Sequence, residues 1–317
     1  MTERLTDISA RIDGIRQLGA VVNAMRGIAA ARAQQARSQL VAIDSYAATI
    51  ASSIGRALVL VPAARPGVTR QSTRLALVLF CAEQGFAGAF SEHVLDAVGV
   101  DLATAELFLI GTRGGAVVAE RGVAAGWKIA MPSHSLGIPK LADRIAEVLY
   151  SRIATGDIDR LDAVFSQWRP GHGTHVQRRR LLPLDLTEFP DQTDSNVPLV
   201  NLAPEALLSD LSADYLHAQL CNAALHAFAA ENEARMEAMA AARNQIERQL
   251  SSLRATQRLV RQEEITAEII ELAAGETASR SDRQPPRWQP VRTQFTRFLT
   301  DASRSAPGMK TSSRCPR

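Results

Sequence analysis

Apolar residues recur with a helical period over two long stretches at opposite ends of the chain. In the first they fall at Leu5, Ile8, Ile12, Ile15, Leu18, Val22, Met25 and Ile28 or Ala29, three and four positions apart. That spacing predicts a long helix with a single apolar seam, capped by Thr2 or Thr6 and running to about Leu60 before Pro62. In the second, no proline or glycine interrupts the chain between Pro204 and Gly275, and the interior is mostly Ala, Leu, Glu, Arg and Gln. Pro204 suits a first helical turn and Gly275 a stop, so one helix is predicted. Its later half carries Met239, Ala242, Ile246, Leu250, Leu253, Leu259 or Val260, Ile265, Ile269 and Leu272. Such a period makes a seam for a coiled-coil partner, which the first helix can supply in antiparallel fashion. At a rise of about 1.5 Å per residue, a helix of this length exceeds the width of a small domain, so part of it must project. Gly14, Gly19 and Gly27 lie inside the first pattern. Each costs a helix about 1 kcal/mol relative to Ala, which predicts close helix approach at these positions.

Between the helices the period changes. Leu75 to Phe80, Glu106 to Ile110, Trp127 to Met131, Leu161 to Trp168 and Val176 to Leu182 read as short strands. Amphipathic segments at Ser91 to Val98, Arg113 to Glu120 and Ile138 to Ala154 read as the helices that alternate with them. Alternation implies a layered, at least partly parallel sheet. The fold class predicted is α/β: a long antiparallel coiled coil of N- and C-terminal helices with an inserted Rossmann-like α/β domain. The boundaries expected are 1–62 for the first helix, 73–190 for the α/β domain, 204–275 for the second helix and 278–317 for a tail. Residues 63–73, with Pro66 and Gly67, read as a linker, and 184–204 as an irregular return.

Composition narrows the function. The 317 residues carry a net charge of +3 and only 5% aromatics, which is too weak a bias for a nucleic-acid binder and leaves few stacking platforms. Cys81, Cys221 and Cys315 are far apart and form no CxxC, against a disulfide framework or thiolate metal site. No uncharged apolar run of spanning length is present; Ile50 to Ala64 is broken by Arg56 and Pro62. From residue 278 onward the sequence turns to Ser, Pro and Arg with little apolar periodicity, which reads as a disordered basic tail.

Candidates for chemistry are sparse. Gly111, Gly114 and Gly115 stand between a predicted strand and helix, where a glycine loop can cradle phosphate, but the full GxGxxG spacing and a Walker lysine are absent. Gly85 and Gly88 mark a similar turn. His172 and His175 lack companion ligands, and Ser133, His134 and Ser135 lack a nucleophile elbow. Acids from Glu231 to Glu271 are interleaved with Arg235, Arg243, Arg248, Arg254, Arg258 and Arg261, as in helix-surface ion pairs. Arg16, Arg26, Arg32 and Arg37 follow Asp13 without an acid until Asp44, giving a positive face if they point outward. No catalytic residue, metal ligand or cofactor is expected.

The run from Arg11 through Ile15 and from Asn23-Ala24-Met25-Arg26-Gly27 to Arg32 resembles the N-terminal signature of the gamma subunit of F-type ATP synthases. The runs Ala230 to Met239 and Arg261 to Leu272 are similar to that family's C-terminal signature, and Leu181 to Leu184 and Pro204 to Leu208 also match. The resemblance implies a rotating central stalk whose helix pair enters the ring of alpha and beta subunits and whose α/β domain is a foot bound to the epsilon subunit and the membrane c-ring. It implies a non-catalytic, peripheral subunit at the cytoplasmic face of a bacterial inner membrane. Carried over position by position, Met25, Arg26, Arg235, Met239, Gln262, Thr266 and Glu268 would be shaft contacts with the ring or within the helix pair. Arg26, Arg32 and Arg37 would face an acidic loop of the beta subunit. Ala82 to Ala89 departs from the family's usual turn, and Asn23 replaces a base; both differences resemble divergent gamma subunits of alternative ATPase gene clusters. The residues themselves also leave room for a coiled-coil scaffold without rotary partners, or a nucleotide-dependent enzyme built on the insert.

Overall fold

A computed structural model describes residues 2–61, 74–189 and 199–281. The expected linker at 63–73 and the tail from 282 lie outside the described residues. The chain divides into two units, residues 1–259 and Val260 onward.

Helix α1, Thr2–Leu58, and helix α5, Pro204–Ser281, are the two long elements. Within the first unit they run antiparallel. Asn222 donates to Asp44 at 2.6 Å, Arg37 pairs with Glu233 at 2.6 Å, and Gln257 donates to Ser9 at 2.9 Å, so position numbers fall along α1 as they rise along α5. The α1 seam keeps a seven-residue repeat: Ile12, Val22, Ala29, Ala33, Ala36, Leu40, Ala47, Ile50 and Ile54 are buried, with Ile15 half-buried. A strict 3.5-residue period is what a left-handed helix pair requires.

The predicted seam is displaced at Leu18, which is exposed, while Gly19 takes the inward position, where an added Cβ would stand 3.4 Å from Ile246; of the two alternatives Ile28 and Ala29, Ala29 is the buried one. Close approach therefore holds at Gly19, whereas a Cβ added at Gly14 or Gly27 would meet nothing within 4 Å. Nor does Gly275 stop α5, which continues to Ser281. Glycine weakens a helix interior without preventing it.

The insert is one five-stranded sheet of order β3-β2-β1-β4-β5. Its strands are β1, Leu75–Phe80; β2, Glu106–Ile110; β3, Trp127–Ile129; β4, Arg160–Arg169; and β5, Gly173–Leu182. The first four are parallel, and β5 pairs antiparallel with β4. Residues of β1 are buried on both faces, as apolar runs in a covered parallel sheet must be. Leu77, Leu79, Leu107, Leu109 and Val164 face α2, Phe90–Val98, and α3, Thr112–Glu120. Ala76, Val78, Phe80, Phe108 and Phe165 face α4, Ile138–Ala154, together with α5 and the middle of α1. The insert thus packs on the long helices through one sheet face. A separate cluster of Ala47, Ile50, Ile54, Leu58, Phe189 and Ala218 joins the far end of α1 to the start of α5.

Strand β3 stops short of the predicted Met131 because the Met131 N–H donates to the Glu83 carboxylate at 2.9 Å rather than to a ladder. Strand β5 starts earlier than predicted, since Thr174 and His175 continue the hairpin opposite Trp168 and Gln167.

Candidate functional site

From Leu216 to Arg235 helix α5 is covered on nearly every side, first by an apolar run rich in alanine and then, without a break, by charge. Glu231, Asn232, Glu233 and Arg235 are all at most 5% exposed. Four polar residues within five positions at that depth need fixed partners. Those partners come chiefly from the loop after β1.

The Glu231 carboxylate accepts the Glu83 N–H at 3.2 Å and the Gln84 N–H at 3.1 Å. Arg235, one turn on, pairs with Glu231 and donates Nε to the Gly85 carbonyl at 3.1 Å, Nη2 to the Gln84 carbonyl at 3.3 Å and Nη1 to Asn232 Oδ1 at 3.0 Å. Asn232 in turn donates to the Phe228 carbonyl at 2.8 Å. An acid and a base therefore grip both the N–H and the C=O sides of one loop. Charge-assisted bonds of this type are shorter and stronger than neutral ones and fix register as well as distance.

The loop is held equally firmly from its own side. Glu83 accepts from the Thr112 N–H at 3.0 Å as well as from Met131, placing a carboxylate at the N-terminus of α3, where the helix dipole favours it. Ser91 Oγ accepts the Ala82 N–H at 3.1 Å, and the Ala82 carbonyl accepts the Arg113 N–H at 3.0 Å. Gly111 has φ of +99°, and a Cβ there would stand 2.4 Å from the Cys81 carbonyl oxygen; a Cβ on Gly114 would stand 2.3 Å from Cys81 Cβ. These glycines allow close packing of α3 on the end of β1. No phosphate cradle is needed to account for them.

A second bond joins the helices beside this joint. Arg37 of α1 reaches Glu233 and lies over the Trp168 ring, 4.7 Å from its centroid. Arg37, though its side chain is partly exposed, is therefore engaged with Glu233 and Trp168. Arg32 donates to Gln84 Oε1 at 3.2 Å, and Arg26 is exposed. On the sheet's opposite margin the buried Asp162 is bound by Arg160 at 2.7 Å and Arg178 at 2.8 Å. The sites predicted from the C-terminal signature separate into three environments. Met239 is buried in the helix seam with Val22 and Ile246, and Met25 packs against it half-buried. The hydrogen-bond partners of Arg235 beyond α5 lie on the loop at Gln84 and Gly85. In the second unit Gln262, Thr266 and Glu268 are exposed, with Thr266 Oγ1 donating to the Gln262 carbonyl at 2.8 Å.

Sequence reasoning treated Glu231 and Glu233 as surface acids, did not pair Arg37 with Glu233, and missed Glu83. The available signal was the uncharged, alanine-rich run from Leu216 to Ala230, since a helix with few polar positions on any side is enclosed and charges directly after it start out enclosed too. No described helix is long and apolar enough to cross a membrane. What this arrangement can do is mechanical: it binds a sheet domain rigidly to a helix pair.

A family model described as ATP synthase matches residues 4–278. Among curated relatives, the ATP synthase gamma chain of Parafrankia sp. is 28% identical over 295 residues, covering 88% of this chain and 98% of the relative. That of Bdellovibrio bacteriovorus is 26% identical over 290 residues, covering 86% and 98%. Among solved structures, a chain of the Euglena gracilis mitochondrial ATP synthase, OSCP/F1/c-ring in rotational state 3, aligns with a TM-score of 0.60 at 14% identity over 93% of this chain and 100% of that one. A chain of the Tetrahymena thermophila mitochondrial ATP synthase central stalk and c-ring aligns with a TM-score of 0.53 at 17% identity, covering 70% and 99%. At these identities the structural likeness concerns the fold.

Proposed function

The chain belongs to the ATP synthase gamma family, and from that premise we propose that it is the rotating central stalk of an F1 sector, coupling ion flow through a membrane rotor to ATP synthesis or hydrolysis at partner beta subunits. The helix pair enters the ring of alpha and beta subunits. The α/β domain is the foot, seated on the epsilon subunit and the c-ring. Catalysis belongs to the beta subunits, and this chain contributes torque without a reacting group of its own. Its membrane association is peripheral, through the rotor, on the cytoplasmic side of a bacterial inner membrane.

The observation that carries this reading is the joint between Glu231, Arg235 and the loop at Glu83 to Gly85. A stalk works only if rotation of its foot reaches the helix pair undiminished, and a foot tethered by a flexible linker alone would swing. The loop clamp and the Arg32–Gln84 bond, supported by a sheet face packed on α5, supply that stiffness, and the Arg37–Glu233 pair ties the two helices to each other. Coupling further requires that each angle favour a different state of the surrounding sites, hence side chains that differ around the shaft. Met25 and Met239 act within the helix pair, Arg26, Gln262, Thr266 and Glu268 meet the ring, and Arg235 locks the foot.

Co-expression with alpha and beta subunits from the same source tests this. The expected result is a complex that hydrolyses ATP and contains this chain; with Gln262→Ala and Glu268→Ala together, ATP-driven ion pumping in vesicles falls while the melting temperature of the subunit is unchanged. A folded chain that stays apart from alpha and beta would overturn the stalk reading, and unaltered pumping in the double variant would remove those contacts from it.

A further inference from the structure

A cleft between β5 and α5 takes no part in the joint. It is a cavity of about 490 Å³ at the outer edge of the sheet, where β5 ends the strand order, and its size is that of a small-molecule site. Arg160, Arg178, Arg179 and Arg180 line it, four arginines against two aspartates, Asp162 and Asp185. Alternation along the strand sets Arg178 and Arg180 on one face and Arg179 on the other, so positive charge reaches the cavity round both sides of the edge.

These cations are not equivalent. Asp162 lies opposite Arg180 in the ladder, yet its carboxylate is taken by Arg160, from Nε at 3.1 Å and Nη2 at 2.7 Å, and by Arg178 Nε at 2.8 Å. Arg178 gives a further donor to Asp101 at 2.6 Å. Asp185 Oδ1 accepts the Thr187 N–H at 3.0 Å and the Thr187 hydroxyl at 2.6 Å. Arg180 therefore feels the charge of Asp185 but forms no ion pair among the described residues. Arg179 is held in place: its Nη1 donates to Gln219 Oε1 at 2.7 Å and Asn222 Oδ1 at 2.9 Å, and its guanidinium lies 5.1 Å from the centroid of the Phe165 ring. Both acceptors are neutral amides, so these bonds fix the cation without cancelling its charge. The remaining wall is apolar, with Leu184, Leu216 and the ring of Tyr215, itself edge-on to Phe189 at 5.2 Å.

We propose that this cavity binds a small organic diphosphate, its phosphates on Arg179 and Arg180 and its apolar or aromatic body against Leu184, Leu216 and Tyr215. A planar guanidinium recognises phosphate oxygens in pairs, and two arginines reaching round one edge suit a group longer than a single phosphate. The occupant would touch β5 on one side and α5 on the other. Gln219 stands about three turns before Glu231 on α5, so the ligand ties the sheet to the helix at a second place, away from the loop clamp. The site depends on the fold of this chain alone; it can fail while the stalk reading holds, and the reverse.

Calorimetric titration of the isolated full chain with ADP, in magnesium-free buffer of about 50 mM salt to limit screening, reads it directly. A single saturable site is expected, weakened about tenfold by Arg180→Gln and by Arg179→Lys, which keeps the charge and loses the fork. Arg180 is exposed, so Arg180→Gln is expected to melt at the native temperature. Added ADP should raise the melting temperature of the native chain more than that of this variant. Pyrophosphate, which lacks the body, is expected to bind about tenfold more weakly than ADP. Absence of saturable binding, or equal affinity in the native chain and Arg180→Gln, would overturn the site. Pyrophosphate held as tightly as ADP would overturn the assignment of an organic body to the apolar wall.

Discussion

Arg235 lies one helical turn beyond Glu231 on α5, both almost fully buried, and the two close a ring of hydrogen bonds around the backbone of Glu83, Gln84 and Gly85. Removing one charge strands the other in the interior. Arg235→Ala is therefore expected to destabilise the subunit by about 3–5 kcal/mol, measured by urea unfolding. Glu231→Ala with Arg235→Ala together should cost less than the two changes separately, by about 0.5–3 kcal/mol. Additive losses would mean that the pair does not act as a unit.

The glycines of the chain divide into two classes with opposite predictions. Gly114→Ala drives a Cβ to within 2.3 Å of Cys81 Cβ, where backbone must yield, and is expected to destabilise by about 1–3 kcal/mol. Gly27→Ala meets nothing within 4 Å and is expected to stabilise the isolated subunit by about 0.5–1 kcal/mol, because alanine has less freedom to lose on folding. Thermal melts of both variants decide the matter.

His226 stacks on Phe165 with ring centroids 5.9 Å apart, and burial, reinforced by Arg179, pushes its imidazole down to about 4. Arg169 and His175 act in the same direction, and Asp44 opposes them. The folded ring stays neutral between that value and the ordinary one near 6.5, while the unfolded chain takes up a proton. Stability is thus fully present above about pH 6.5 and is lost as pH falls toward 4. The loss expected from this group is about 1–2 kcal/mol, discounted because the ring is only partly buried. Urea midpoints from about pH 6.5 to 5 should fall more steeply in the native chain than in His226→Phe; parallel slopes would contradict the assignment.

Burial pushes the thiols of Cys81 and Cys221 up to about 12. Only the thiolate is nucleophilic, so both should resist iodoacetamide at neutral pH and react once urea unfolds the chain. Mass spectrometry of the labelled protein reads each site. Rapid native alkylation of Cys81 would mean that the contact between α3 and the end of β1 opens.

Periodicity made the architecture legible. The boundaries of β1, β2 and α4 match the limits of their apolar patterns, since those elements are bounded by turns and covered on the faces the pattern specifies. The helix seam was harder, because a period of 3.5 and one of 3.6 diverge over many turns: Leu18 and Gly19 compete for one inward position, and the smaller residue wins where Ile246 fills the space. Least legible was the joint. Nothing in Glu231 and Arg235 themselves distinguishes a buried grip from a solvated helix face; their loop partners are backbone groups about 150 positions away, which are the same in any sequence. Met25 and Met239 lie in the helix seam, whereas Arg235 serves the foot and leaves the seam to its neighbours.

Rotation itself is the most direct measurement. With the alpha and beta subunits fixed to a surface and a bead attached to the α/β domain, addition of ATP is predicted to turn the bead steadily in one direction. A complex that hydrolyses ATP while the bead only fluctuates, in preparations where this chain is present and folded, would contradict the account of a foot rigidly joined to a rotating shaft.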